Sequence, residues 1–86
     1  MITSLKNLGP KSEVMLGQAG ICTEEALRAL GAVKAYALVK ASGANASLNL
    51  LWALEGALSD RSWQEVAKSD RLSLLLQLEQ EQAAQR

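Results

Sequence analysis

Apolar residues recur along this chain at spacings of three and four, in short blocks closed by glycine. That period places them on one face of an α-helix, and no stretch alternates apolar with polar residues over strand length. The blocks predict a succession of short helices. Thr3 can cap a first turn over residues 5–8. Gly9-Pro10 then breaks the helix, because proline cannot continue one and glycine accepts φ > 0. Pro10 suits the first position of the next helix, which should run to Gln18 or Ala19 and stop at Gly20. Thr23 caps a third segment, with Glu24 and Glu25 in the first turn, where the helix dipole favours anions. Ala26, Leu27 and Leu30 form its inner stripe, and Gly31 ends it. Over residues 32–42, Val33, Tyr36 and Ala37 are spaced for one face, with Gly43 as the stop.

The most apolar block follows. Asn45 or Ser47 caps a helix reaching about residue 59, in which Leu48, Leu50, Leu51, Trp52, Leu54, Ala57 and Leu58 leave little polar surface. It should form the buried centre. Ser62 and Glu65 have the spacing of a capping box and start a short turn carrying Trp63 and Val66. Ser69 reads as the cap of a last helix with Asp70 in its first turn. Leu72, Leu75 and Leu76 should face inward, and the polar tail over residues 79–86 should fray or project. No internal repeat or linker is visible. The pattern predicts an all-α fold: one compact five- to six-helix domain over residues 1–86, with a helix-hairpin-helix-like N-terminal half.

Composition sharpens this picture. A chain of 86 residues buries only about 60–65% of its unfolded surface, so its core must be well filled. Apolar residues make up 49% of it, yet phenylalanine is absent and there are only two Trp and one Tyr. Leucine and alanine, both strong helix formers, must fill the interior.

Charge narrows the function. Nine basic and nine acidic residues cancel, whereas domains that grip nucleic acid mainly by charge are basic overall. Residues 1–43 carry Lys6, Lys11, Arg28, Lys34 and Lys40 against three acids, and residues 44–86 carry four bases against six acids. Any phosphate contact should therefore sit at the N-terminal end. Cys22 is the only cysteine, so no internal disulfide can form, and a reducing, cytoplasmic location is expected. It should be a small packed side chain. No membrane association is expected, since no apolar run reaches the length of a span.

The absence of histidine excludes Ser–His–Asp and Cys–His chemistry. One cysteine with carboxylates is a poor zinc set, and a base working at neutral pH would need a strongly shifted Glu or Lys. No catalytic residue, metal or cofactor is expected.

Two constellations remain. Residues 5–11, with Val14, Leu16, Ala19, Gly20 and Ile21 after them, read as a helix-hairpin-helix, whose tight turn exposes backbone N–H groups to a phosphate. Lys6, Asn7, Gly9 and Lys11 would make that contact; Asn7 takes the place of the turn's usual first glycine and tolerates the left-handed conformation. Alternatively, the helix pair only packs. The second constellation is the run over residues 48–58. Within it Glu55 either pairs inside the fold, with Arg28 or a helix N-terminus, or offers an acid to a partner. Gly56 permits close packing. Trp52 and Trp63 read as anchors, with Trp63 the better candidate for an exposed contact.

Taken together, Leu8-Gly9-Pro10-Lys11-Ser12, Ala19-Gly20-Ile21, Leu27-Arg28-Ala29-Leu30-Gly31-Ala32-Val33, Ala35-Tyr36 and the Asn49-to-Leu58 run resemble the C-terminal domain of TfoX-type regulators of natural competence. The resemblance spans roughly residues 4–78. It implies a compact helical domain that often follows a separate N-terminal TfoX domain, and a link to control of DNA-uptake genes. That N-terminal domain is not in this sequence, so the chain is either a stand-alone member or an excised piece. The resemblance carries over no catalytic residue. The function expected is a non-enzymatic interaction module with a protein partner; the alternative is a helix-hairpin-helix-type module contacting the nucleic-acid backbone without sequence specificity.

Overall fold

The computed structural model describes residue 5 and residues 7–84. Among these the fold is all-α, with six helices: α1 (Pro10–Gln18), α2 (Glu24–Leu30), α3 (Ala32–Ala41), α4 (Leu48–Ser59), α5 (Trp63–Ser69) and α6 (Arg71–Ala84). Thr3 and Lys6 lie outside the described residues. What is described of the expected first turn is one hydrogen bond, from the Leu8 N–H to the Leu5 carbonyl at 3.3 Å.

The glycines read as stops, Gly20, Gly31 and Gly43, all adopt positive φ. Pro10 opens α1 behind a Gly9 cap in extended conformation. The Thr23 hydroxyl accepts the Ala26 N–H at 3.1 Å, and the Ser62 hydroxyl accepts the Glu65 N–H at 3.2 Å. Only that half of the expected capping box forms, because the Glu65 carboxylate lies 3.8 Å from Arg61. Ser47 is the N-cap of α4, although its side chain makes no capping bond.

Leu16, Ile21, Leu27, Val39, Leu51, Leu54 and Val66 are fully buried and form the centre of the core. α4 buries most of its surface, with Trp52 inside. It shares the centre with α3, which packs against α1, α2, α4 and α6. Alanine makes that possible: Ala32, Ala35 and Ala37 of α3 are buried and let neighbouring helices close in from several sides.

The C-terminal third departs from the sequence reading. Ser69 is the last residue of α5, and Asp70 forms the joint, its carbonyl accepting the Leu74 N–H at 3.0 Å. The inward positions of α6 are Leu74 and Leu78, with Leu75 half-buried. Leu72 and Leu76 point outward, 83% and 57% exposed. Residues 72, 74, 75, 76 and 78 are all leucine, so every face of this helix offers an apolar phase, and packing against α3 selects one. The polar tail that begins at residue 79 is helical over its described residues. The helix continues to Ala84, with Glu81 half-buried against the body. Cys22 is exposed rather than packed.

Candidate interaction surface

The surface is organised by one long-range joint. Asn7 adopts φ +71°, the left-handed conformation its short amide side chain tolerates. This turns its carboxamide onto the α4–α5 loop. Its Nδ2 donates to the Arg61 carbonyl at 2.9 Å, and its Oδ1 accepts the Trp63 N–H at 3.3 Å. Gly56 makes room for this joint: a Cβ there would lie 2.5 Å from both the Arg61 carbonyl oxygen and Asn7 Nδ2. The close packing expected at Gly56 is thus against a loop, and Asp60, with φ +57°, supplies the left-handed turn that lets the loop return.

Arg61 secures the other side of the loop. Its guanidinium grips Asp70 with two hydrogen bonds, of 2.6 and 3.3 Å, and donates to Ser59 Oγ at 3.0 Å. The Glu55 carboxylate lies 3.9 Å away. The bonds from Arg61 hold the Asp70 carboxyl below its ordinary range. Burial pushes Glu55 up, and Arg61 only partly offsets that. Glu55 therefore pairs within the fold as the sequence allowed, but with Arg61; Arg28 is engaged by Glu24 one turn away at 3.0 Å. Glu55, Glu65 and Asp70 all converge on this one guanidinium, and its two hydrogen bonds to Asp70 fix the loop.

Two clefts flank this framework. The first, about 430 Å³, lies between the start of α3 and α6 and is edged by Lys34, Glu55, Gln77 and Glu81. The second, about 390 Å³, lies between α1 and α4 and brings Asn7, Lys11 and Trp63 together with Asn45 and Asn49. Of the residues singled out for phosphate contact, Lys6 lies outside the described residues and Asn7 is occupied within the fold. Gly9 caps α1 and is half-buried, and Lys11 is exposed at the cleft rim. Of the two partner candidates, Trp63 is 38% exposed beside the second cleft, and Glu55 borders the first. Sequence reasoning missed Asn49 as a surface residue. It also missed the exposed pair Leu72 and Leu76, whose spacing of four was visible but assigned to the interior.

A model of the TfoX C-terminal domain family matches residues 1–78. The chain belongs to that family. No curated protein and no solved structure matches it. The matched span of the TfoX C-terminal domain covers α1 to α5 and α6 as far as its last buried leucine, Leu78, including both partners of the Asn7 joint. No helix of the TfoX C-terminal domain among the described residues is long and apolar enough to cross a membrane.

Proposed function

We propose that this TfoX C-terminal domain is a non-enzymatic interaction module of a cytoplasmic regulator of competence and DNA transformation, and that its partner is a protein. The observation that carries the reading is the outer face of α6. Leu72 and Leu76 stand one turn apart, opposite the buried Leu74 and Leu78, and are largely exposed. Exposed apolar side chains scattered singly need no explanation, but two leucines in register on one face form the kind of stripe a partner helix covers.

A tagged domain retrieving partners from native lysate, with nuclease present, tests this beside the double variant Leu72→Gln, Leu76→Gln. Both side chains are outside the core, so the variant should melt like the wild type. Nuclease-resistant capture lost in the variant is the expected result. Capture that is nuclease-sensitive, or indifferent to the double change, would overturn the reading.

The nucleic-acid alternative is weakened by the commitment of the Asn7 carboxamide to Arg61 and Trp63. The hairpin amides with Lys6 and Lys11 engage about two phosphates at most, giving a salt slope near 2 or less on duplex DNA. Fluorescence anisotropy with a short labelled duplex should show weak or no binding, reduced further by Lys11→Glu. Nanomolar affinity, or indifference to that reversal, contradicts this.

A further inference from the structure

We propose that the cleft between α1 and α4 is a recognition site for an acidic, extended peptide segment, with an aliphatic side chain on its floor and a carboxylate directed to Lys11. The proposal rests on the domain being a protein-interaction module, and it uses a different surface from the outer face of α6.

Three observations support it. The first is composition: Met15, Leu50 and Ala53 provide an apolar floor and Trp63 a wall, while the rim is polar. The lining is divided about evenly between polar and apolar residues, so an occupant must offer both an apolar side chain and hydrogen-bonding groups.

The second is uncommitted hydrogen-bonding capacity. Among the described residues, the side chains of Ser12, Asn45, Ser47 and Asn49 make no hydrogen bond. A carboxamide both donates and accepts, as a peptide group does, so Asn45 and Asn49 can pair with an extended backbone. The frame holding them is anchored by hydrogen bonds. The Ala46 carbonyl receives the Tyr36 hydroxyl at 3.3 Å and Lys40 Nζ at 3.2 Å, and Trp63 is held through its N–H by Asn7. A preformed site loses less freedom on binding.

The third is charge. Among the described residues, Lys11 is the one charged side chain lining the cleft, which complements one or two carboxylates. A nucleic-acid strand carries a phosphate at every residue and is held by a positively charged track, whereas the described residues of this cleft offer a single positive charge.

The test is titration of the 15N-labelled domain with acetylated octapeptides alternating Leu with Asp or Glu. The same peptides carrying Lys in place of the acids, and an octathymidine strand, serve as rivals. The expected result is that acidic peptides shift the side-chain signals of Asn45, Asn49 and Trp63. Their affinity should fall about tenfold in Lys11→Glu and in Asn49→Asp and be unchanged in the Leu72→Gln, Leu76→Gln variant. Absence of those shifts with every acidic peptide, equal shifts from the Lys peptides, or tighter binding of octathymidine would each overturn the proposal. Shifts confined to α6, with capture through α6 intact, would remove the cleft assignment and leave the module reading standing.

Discussion

Adding one methyl group at Gly56 tests the joint between the two halves of the chain. In Gly56→Ala the new Cβ would lie 2.5 Å from the Arg61 carbonyl oxygen and 2.5 Å from Asn7 Nδ2. Those two atoms are bonded to each other at 2.9 Å, and the Arg61 N–H donates to the Gly56 carbonyl at 2.8 Å. The loop backbone must therefore move. Helix propensity favours alanine by about 1 kcal/mol. Against it stand about 1–3 kcal/mol of overpacking and about 1 kcal/mol for each hydrogen bond disturbed. The net is a loss of about 1–3 kcal/mol, or roughly 5–20 °C in Tm for a domain of this size. Gly17 in α1 is the control: it is exposed and a Cβ there meets nothing within 4 Å, so Gly17→Ala should gain about 0.5 kcal/mol. Urea melts of both variants at equal m-value measure the contrast. If Gly56→Ala matched or exceeded the wild type in stability, the close approach of Asn7 and Arg61 to α4 would be wrong.

Leu51→Ala and Leu54→Ala, both at wholly buried positions, should each cost about 2–5 kcal/mol in denaturant melts; a loss below about 1 kcal/mol contradicts the central placement of α4. Burial raises the folded-state pKa of Glu55, so its ionisation costs stability as pH rises through the unfolded and then the folded value. Glu55→Gln should therefore be at least as stable as the wild type at pH 7, with the advantage vanishing in acid, and a clear loss at pH 7 would contradict this. Asp70 has the opposite sign: its lowered pKa gives stability that is present above the unfolded value near ~3.9 and lost as pH falls through the folded one. Asp70→Asn should lower stability at neutral pH and flatten the acid limb of the melt-versus-pH curve.

Helix boundaries were legible where a residue has one dominant use. Glycines after periodic runs, Pro10 at a first position, and Thr23 and Ser62 before acidic first turns all marked real ends. The Asp60 turn was not, because an aspartate in the left-handed conformation carries no signal comparable to glycine. The phase of α6 was ambiguous for a different reason. With leucine on every side of that helix, only packing against α3 decides which leucines enter the core. Ser69-Asp70 had the residue types of a helix start, but the Asp70 side chain serves Arg61 and Ser69 closes α5. Of the candidate surface, Asn7 and Lys11 were picked out together for phosphate contact, and Trp63 separately for a partner. Their meeting in one cleft depends on a bond between residues 54 positions apart, which no local pattern encodes.

That separation also bears on the order in which the molecule assembles. α4 and α5 are neighbours in sequence and pack on each other, so their loop can form early at small cost in chain entropy. The Asn7 bonds close a loop through most of the chain and are made only once that loop exists. The turn around Asn7 should then be the last segment to dock and the first to release, opening as a unit while the leucine core stays closed. Amide hydrogen exchange at Trp63, whose N–H ends on Asn7, would register that opening well before the amides of α4 register unfolding.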